Sequence, residues 1–413
     1  MDLLSAENYV EAPFVILRLG EYTFGSYSRS GDHRALGSTM RVDFPNYLTG
    51  ISVRKINGQV NTYTVNMVYA ITETDDPNMM EKVFSTVRNS REMVLTYGDW
   101  NNAANIYKEE SALITSIKSN VSMANSKITY TISGVSNSLK LDSSLHDFPA
   151  RKAKPSDVIK ELLYSPDYGL PSIFTGMTNK AEVNKNLLIA SDDAEIDIEA
   201  RNGTSTISYI SYLVSCMTST NDTSTDSMPT SMYQMAIRDD VNNSMGGPYF
   251  TVQKVSSVGG GIPSGSLWEI DVGFPGRNMV TDFSVENDES WSILYEYSEK
   301  IDRDDYVYRI GNDGSIVIED SPTIMRSKRN KKVKPHNQQW WTLMTQFPIT
   351  ANITLKGLVK PTLLMDYVKL NVLFYGNRHI LSGVYVIIQQ DDEINSNGFR
   401  TKLRLLRIGG DTQ

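Results

Sequence analysis

The sequence is poor in the side chains that most often carry chemistry. Its 413 residues include one cysteine, Cys216, and four histidines. A single thiol excludes an internal disulfide and a cysteine-based zinc site, because zinc needs several thiolate or thiolate and histidine ligands at short spacing. The histidines form no metal-binding pair of the His-Glu-x-x-His kind. They are His33, His146, His336 and His379. The sequence therefore predicts no metal site and no cofactor.

Long apolar runs are also missing. No window approaches the ~18 uninterrupted apolar residues of a membrane helix. The first residues, MDLLSAENYVEAPF, carry Asp2, Glu7 and Glu11 and lack the basic region and the cleavage site of a secretion signal. We therefore expect no membrane-spanning segment, and we expect synthesis and assembly in a cytoplasm.

An excess of positive charge is absent as well. The chain has 48 acidic and 40 basic residues, a formal net charge of -8. The whole surface therefore cannot attract nucleic acid, and any contact with DNA must be local. With 40% apolar and 21% charged residues the composition is that of a globular protein, and the wealth of Ser, Thr, Asn and Tyr favours strands.

Catalytic constellations are not evident either. Cys216 lies in an apolar stripe of helical spacing, where a free cysteine is usually a small buried hydrophobe. General acid and base catalysis needs two carboxylates in different environments, which neighbours in a polar turn rarely have. Five adjacent Asp-Asp pairs occur, at Asp75-Asp76, Asp192-Asp193, Asp239-Asp240, Asp304-Asp305 and Asp391-Asp392. We predict no catalytic residue and expect that the protein is not an enzyme.

What the sequence does contain is alternating apolar and polar residues, beginning in its first third. Residues 48–72 alternate on both sides of Asn57-Gly58, a pair that suits a two-residue type I′ hairpin turn. Asp76 can then cap a short helix whose apolar face includes Met80 and Phe84. More alternation follows up to residue 132. Residues 1–145 are predicted to form a first tube-like β-barrel domain.

The middle of the chain has a different pattern. A helix is expected from Ser156 or Asp157, and its core residues are Val158, Ile159, Leu162 and Leu163. A second helix is expected where apolar residues recur at helical spacing, at Ile207, Ile210, Leu213, Val214 and Met217. Residues 146–245 are predicted to form a small α/β domain.

Strand patterns return from Tyr249 to the end. Asp313-Gly314 separates two alternating runs, and a basic loop from Arg326 to Lys334 interrupts the sheet. Residues 246–413 are predicted to form a second tube-like β-barrel domain with inserted loops. The predicted fold class is mainly β (β+α), with two tube-like β-barrel domains and the small α/β domain.

The most regular pattern is the last hairpin, residues 379–411. Phe399, Thr401, Leu403 and Leu405 alternate with basic residues, so one face can close a core while the other is positively charged. This basic face and the basic loop are the candidate subunit interface, with a solvated surface as the alternative. The candidate residues are Arg400, Lys402, Arg404, Lys328, Arg329, Lys331 and Lys332.

Three segments together resemble a known family. Ser382-Gly383-Val384-Tyr385-Val386, a polar turn, and Gly398-Phe399-Arg400-Thr401-Lys402-Leu403 resemble the final hairpin of the baseplate hub proteins of contractile-tailed bacteriophages, the family that also includes the hub half of type VI secretion spikes. GFPGRNMVTDFSV (273–285) resembles the segment that opens the second barrel of that family. The YGD at 97–99 with EESALITSI resembles the first barrel.

The resemblance implies a structural virion protein at the tail baseplate. Members of this family are homotrimers that join the sixfold tail tube to the threefold central spike and enclose the channel through which the genome passes. The implied partners are the tail tube protein, the central spike protein, wedge or baseplate proteins, and the tape-measure protein and DNA in the lumen. No cofactor is implied.

Two other functions are alternatives. A tail-associated cell-wall hydrolase would need a catalytic cluster, and the candidates for one are the acidic residues and Cys216. A host-binding tail adhesin would suit the surface rich in Tyr and Asn, but adhesins often contain repeats, which this sequence lacks.

Overall fold

The computed structural model describes most of the chain. The described residues are 12–25, 44, 47–70, 76, 78–99, 107–122, 124, 126–174, 177, 179–220, 231–238, 249–256, 267–273, 279–287, 306–310, 316–320, 349–357 and 363–410. The basic loop, with Lys328, Arg329, Lys331 and Lys332, lies outside them, as do His33 and His336.

The first part of the chain consists of strands with one helix. Its elements are β1 (Pro13–Leu19), β2 (Tyr22–Gly25), β3 (Leu48–Ile56), β4 (Thr62–Ala70), α1 (Met79–Ser90), β5 (Glu92–Asp99), β6 (Tyr107–Ser122) and β7 (Lys127–Ser136).

The middle part alternates short strands and helices, with 3-10 turns at Asn137–Leu141 and Leu170–Ser172. Its elements are β8 (Leu145–Phe148), β9 (Arg151–Ala153), α2 (Pro155–Tyr164), α3 (Lys180–Lys185), β10 (Leu187–Ile189), β11 (Ile196–Ile198), β12 (Arg201–Ser205), α4 (Thr206–Cys216), β13 (Ser231–Ile237) and β14 (Phe250–Ser256).

The last part returns to strands. Its elements are β15 (Leu267–Val272), β16 (Val280–Asn287), β17 (Tyr306–Ile310), β18 (Ile316–Asp320), β19 (Ile349–Lys356), β20 (Tyr367–Phe374), β21 (Asn377–Arg378), β22 (Gly383–Asn395) and β23 (Gly398–Gly410). The predicted mainly β fold is confirmed.

Most of the strands belong to one 14-stranded sheet. Its hydrogen-bonded order is β16-β19-β23-β22-β3-β4-β7-β6-β5-β1-β2, and β15, β20 and β21 branch from β22. Within the described residues this ladder does not return on itself, so the two closed barrels remain a prediction. The predicted boundaries at residues 145 and 245 likewise remain predictions.

The first part of the sheet curls around its own core. Leu17, Val53, Val65, Leu95 and Ile132 come from five different strands and belong to one buried cluster. Helix α1 contributes Met80, Val83 and Phe84 to it, as its apolar spacing predicts. Tyr97 on β5 donates a hydrogen bond to Asp392 on β22 at 3.3 Å, although four strands lie between them in the sheet order. Such a contact requires strong curvature.

The two helices predicted in the middle part are confirmed. Helix α2 begins at Pro155, one residue before the predicted start, and buries Val158, Ile159, Leu162 and Leu163. Helix α4 begins after Ser205, whose hydroxyl accepts the backbone N–H of Ser208 at 3.2 Å, a typical N-cap. Both helices pack on one face of the three-stranded sheet β10-β14-β13, where Tyr233, Met235 and Val252 are buried.

The opposite face of this small sheet covers the last part of the chain. Met232, Ala236 and Val255 form a buried cluster with residues of β22 and β23, chiefly Val386 and Leu406. Arg238 reinforces the contact, because its guanidinium donates to the carbonyl of Leu364 at 2.9 Å and lies 3.5 Å from Asp366. The small sheet β10-β14-β13 is therefore packed between the helices α2 and α4 on one side and the large sheet on the other.

The last part of the chain has its own core. Ile270, Ile353, Leu370, Tyr385 and Leu403 are almost completely buried in one cluster that draws on five strands. Strands β17 and β18 pair with each other, as predicted on either side of Asp313-Gly314, although the turn itself lies outside the described residues. β16, within the segment resembling the start of the second barrel, pairs with β19 at the edge of the sheet.

The hairpin predicted around Asn57-Gly58 is confirmed, since β3 and β4 pair, but the predicted type I′ geometry of its turn is wrong. The paired residues nearest the turn are Arg54 and Thr62, and only Gly58 has a positive φ, of 73°. The longer loop instead reaches the rest of the molecule, because Gly58 donates its N–H to the carbonyl of Met235 and Asn57 donates to that of Ile388. Tertiary contacts, and not the local turn preference, determine this conformation.

Candidate functional site

The final hairpin, β22 with β23, joins the first and last parts of the chain. Along one edge of β22, the residues Gly383 to Val386 pair with β20 and the residues Gln389 to Ile394 pair with β3. On the other side of the hairpin, β23 pairs with β19. The hairpin was predicted to close the second barrel. It pairs instead with strands of both the first and the last part of the chain, and we call it the joint hairpin.

The residue pattern of the joint hairpin determines which of its faces is buried and which is exposed. The predicted alternation on β23 is confirmed, since Phe399, Thr401 and Leu403 are buried while Arg400 and Lys402 are exposed. A turn at residues 396–397 connects the strands, and Gly398 has a φ of 105° that favours glycine. The inner face contributes Ile394 and Phe399 to the first core and Leu403 and Leu405 to the last core.

A buried ionic network lies on the inner face where the joint hairpin meets β3. The ammonium of Lys55 is 2.8 Å from Glu110, and both side chains are completely buried. The hydroxyls of Tyr63 and Tyr97 each donate to Glu110 at 2.9 Å. The joint hairpin supplies Asp392, whose exposure is 1%. We call these five residues the buried network.

Asp392 accepts hydrogen bonds from its own strand, β22, and from the paired strand β23. Thr401 donates its hydroxyl to Asp392 at 2.8 Å and Gln390 donates its amide at 3.3 Å. Gln390 in turn accepts the backbone N–H of Leu363 at 2.7 Å. Burial, followed by the charges of Glu110 and Asp392, raises the pKa of Tyr97 well above its ordinary value, so its phenol remains a donor. Buried charges of this kind are tolerated only when they are paired and hydrogen-bonded.

The outer face of the joint hairpin carries exposed cations. Lys402 lies 3.1 Å from Glu393, and Arg54 of the neighbouring β3 lies 3.7 Å from Asp391. Burial raises the pKa of Asp391, while a hydrogen bond from Gln389 and the charge of Arg54 act in the opposite direction. Arg400 and Arg404 are also exposed, and Lys356 stands across the strand pair from Arg400.

Cations outnumber acids on this face of the hairpin and of its neighbours β3 and β19. Within the described residues, no ion pair joins Arg400, Arg404 or Lys356 to an acid. Glu393 stands opposite Arg400 in the strand pairing, so Arg404 and Lys356 are the cations without an acid opposite them. Arg400, Lys402 and Arg404 lie together on this face, and their part in a subunit interface remains a prediction.

The other candidates from the sequence lie elsewhere. Cys216 is buried at the end of α4, and burial raises the pKa of its thiol to about 11, which suits the predicted hydrophobic role. The ring of His146 contacts that of Tyr168 at a tilt of 44°, and His379 lies between β21 and β22 near Phe374. The acidic pair Asp391-Asp392 is not in a polar turn as expected but in the middle of a strand.

One further polar cluster contains a serine and a lysine. Lys254 donates to the hydroxyl of Ser219 at 2.7 Å and to Asp192 at 3.1 Å, and Tyr233 donates to Asp192 at 2.8 Å. Although burial opposes it, hydrogen bonds from Tyr233 and Lys254 lower the pKa of Asp192. The ammonium of Lys254 donates in both of its hydrogen bonds, so it does not act as a base toward Ser219. The cluster connects β13, β14 and the segment after α4.

Neither a metal-binding cluster nor a membrane-spanning helix is present among the described residues. Among them, no group of three or more His, Cys, Asp or Glu side chains could hold a metal ion. No helix within the same residues is long and apolar enough to cross a membrane.

Comparison with known proteins gives structural likenesses only. No family model matches the chain, and no curated protein matches it. A tail protein from Neisseria meningitidis MC58 is similar with 10% identity and a TM-score of 0.47, over 96% of this chain and 97% of that one. The 43 kDa tail protein of prophage MuSo2 from Shewanella oneidensis has 10% identity and a TM-score of 0.48, over 96% and 98%.

A third similar structure is an E. coli component of the type VI secretion system, described as structurally similar to bacteriophage T4 tail proteins. It has 8% identity and a TM-score of 0.43, over 89% of this chain and 76% of that one. At these identities and TM-scores the likeness by itself says nothing of function.

Proposed function

We propose that this chain is a structural baseplate hub of a contractile tail. In this role, three copies join a sixfold tail tube to a threefold central spike and enclose the channel for the genome. The similar solved structures are described as tail proteins and a type VI secretion component. We extend that description to this chain on the strength of its joint hairpin and of the sequence resemblance in the same segment.

The joint hairpin is the observation that carries the proposal. A hub of this kind needs each copy to present two β units at a fixed spacing, so that three copies offer six similar units to the tube. Strand β22 pairs with β20 of one part and β3 of the other, which fixes the two parts in one sheet. The buried network then fixes the register of β22 against β3, because a slip by one residue would expose Asp392 and bury Asp391.

The basic outer face is the proposed contact between copies. Exposed cations in excess over the acids of the same face are well suited to meet an acidic surface of another copy, where complementary charge favours specific association. The partners in this role are two further copies, the tail tube protein, the central spike protein and wedge or baseplate proteins. The tape-measure protein and DNA would pass through the lumen, and the assembled protein would be part of the virion tail.

The proposal includes no catalytic activity. The alternative of a cell-wall hydrolase predicts release of soluble fragments from purified peptidoglycan, and this release would have to be lost in Cys216→Ala or Asp192→Asn. We expect no release by the full chain. Fragment release that depended on one of these residues would replace the hub by the hydrolase.

Assembly tests the hub directly. We expect the full chain to form trimers in analytical ultracentrifugation and to bind the tail tube protein. Replacing Arg400, Lys402 and Arg404 together by Ser should leave the far-ultraviolet circular dichroism unchanged and weaken the trimer. The matched control replaces three exposed lysines elsewhere, Lys127, Lys140 and Lys152, by Ser, with the same change of charge.

The outcomes separate the parts of the proposal. A wild-type chain that remains monomeric at high concentration and does not bind tube or spike proteins would contradict the hub. Normal assembly of the Arg400, Lys402 and Arg404 variant would remove the basic face from the contact and leave the joint hairpin in its structural role.

A further inference from the structure

Part of strand β6 has a neighbouring strand on one side only. Up to Leu113 it pairs with β5, and Ile114 donates its backbone N–H to the carbonyl of Arg91, just before β5. From Ser116 to Ser122 the strand pairs with β7 alone among the described residues. An unpaired strand edge presents a row of backbone N–H and C=O groups, which is a template for another strand. We call residues 116–122 the open edge of β6.

Strand β16 has a second open edge. It is the outermost strand at the other end of the large sheet, and within the described part of the chain it pairs only with β19. Ile117 on β6 is partly buried against the first core, and Phe283 and Val285 on β16 are partly buried against the last core. Val121 on β6 is 53% exposed. Each core is therefore incomplete at its open edge.

The two open edges have compatible directions. They end the path β16-β19-β23-β22-β3-β4-β7-β6, in which each strand is antiparallel to its neighbours. Because this path has eight strands, its first and last strands run in opposite directions. In a ring whose axis lies roughly along the strands, rotation preserves strand direction and the side to which each face turns. β6 of one copy and β16 of the next would therefore meet as an antiparallel pair, with their core faces on the same side.

The charges of the two edges are complementary. On the face turned away from the core, the open edge of β6 carries the exposed Lys118 and no acidic residue. On the corresponding face, β16 carries the exposed Asp282 and Glu286 and no basic residue. Two β6 edges, or two β16 edges, would bring like charges together, which is unfavourable across a strand pair. The charges therefore favour pairing of β6 with β16.

We propose that the open edge of β6 in one copy pairs with β16 of the next copy. The two edges are different surfaces of one chain, so the contact is head-to-tail and forms a ring when the rotation closes. The large sheet would then continue from copy to copy, and both incomplete cores would be covered. This inference rests on the proposed homotrimer and identifies the strands that meet in it. The contact is separate from the basic outer face of the joint hairpin.

One register satisfies the charges. With Ser284 opposite Lys118, the acidic residues Asp282 and Glu286 occupy the two diagonal positions beside the lysine. Diagonal neighbours of an antiparallel pair are about 7 to 8 Å apart, within reach of a long side chain. Lys118 can then interact with both carboxylates.

The same register places apolar side chains beside a groove. Val285 lies opposite Ile117, and Phe283 lies opposite Ser119. Ile117 and Ser119 line a groove of about 870 Å³ between β6 and helix α1, to which Phe84 contributes an aromatic wall. The ring of Phe283 has space there because the serine side chain is small. Burial of this ring and of Val285 would add apolar contact to the backbone hydrogen bonds.

An engineered disulfide tests the contact directly. Lys118→Cys with Ser284→Cys places two new thiols in a chain whose native Cys216 is buried. In the proposed register, the new thiols of neighbouring copies are opposite each other, with Cβ atoms about 4.5 to 5.5 Å apart, so that a small adjustment allows a disulfide. Mild oxidation should yield covalent trimers on a non-reducing denaturing gel. Each variant with one new cysteine is a control and should yield none.

A charge exchange provides the second test. Lys118→Glu should weaken the trimer about tenfold or more, because two attractive diagonal pairs become repulsive. Asp282→Lys with Glu286→Lys should weaken it as well, and a chain that carries all three changes should recover at least part of the loss. Lys152→Glu, at an exposed position on β9, is the matched control and should associate as wild type. Circular dichroism checks the fold in each case.

The outcomes distinguish this contact from the hub. If the wild type forms trimers while the thiol pair gives no crosslink and the charge variants associate equally well, the contact between β6 and β16 is wrong and the hub proposal stands. If Lys118→Cys crosslinks to Asp282→Cys or Glu286→Cys instead of Ser284→Cys, the pairing of the edges is supported with a register shifted by two residues. If the wild type forms no oligomer, the hub proposal itself fails.

Discussion

Replacing Lys55 by methionine should destabilise the protein more than replacing any exposed charged residue does. The substitution keeps the length of the side chain and leaves Glu110 buried without its cation. Lys55 and Glu110 are both fully buried and 2.8 Å apart. Breaking a buried pair of this kind costs roughly 3 to 5 kcal/mol. Because Tyr63 and Tyr97 still donate to Glu110, we expect the lower half of that range, about 3 to 4 kcal/mol.

Chemical unfolding and hydrogen exchange measure this effect. Since a chain of this size need not unfold in one step, exchange in peptides of β3, β6 and β22 reports the region concerned. The control is Arg54→Met, on the exposed face of the same strand, which should cost less than about 1 kcal/mol. Adding Glu110→Gln to Lys55→Met should recover part of the loss. If Lys55→Met costs no more than Arg54→Met, the buried network does not stabilise the joint.

Three further predictions concern single positions. Gly357→Ala would place a Cβ directly against the ring of Phe399 and should cost about 1 to 3 kcal/mol of unfolding free energy, with partial recovery when Phe399→Leu is added. Asp193→Ala removes the carboxylate that accepts the Ser156 N–H at 2.9 Å and should cost about 1 to 2 kcal/mol of unfolding free energy. The loss should appear as faster hydrogen exchange in α2. The control Asp157→Ala, at an exposed residue of the same helix, should cost less. Cys216, with a pKa of about 11, should react with a disulfide reagent at pH 8 only slowly until urea unfolds the chain; fast reaction in the native protein would contradict its burial.

Local pattern was sufficient for some elements and not for others. Helix α4 was predictable because its apolar residues recur at helical spacing after a serine cap, and β23 because Arg400, Lys402 and Arg404 alternate with apolar residues. The conformation of the loop at Asn57-Gly58 was not predictable, since it depends on Met235 and Ile388, which are distant in sequence.

The buried network was missed, although a signal for it exists. Lys55 shares the period-two face of β3 with Ile51 and Val53, which places a lysine in the core. A charge at such a position predicts a buried partner. No local pattern identifies that partner as Glu110, or places Asp392 beside it, because strand pairing between distant segments depends on the whole fold.

The shared strand β22 also has a mechanical consequence. Six consecutive residue pairs connect it to β3, and its partner β23 is paired with β19 over seven. A pull along the strands would load these hydrogen bonds together, in shear, and a twist between the two parts would strain every one of them. We therefore expect the two parts to bend little against each other at the joint. In the proposed assembly, opening or rotation is then expected between copies.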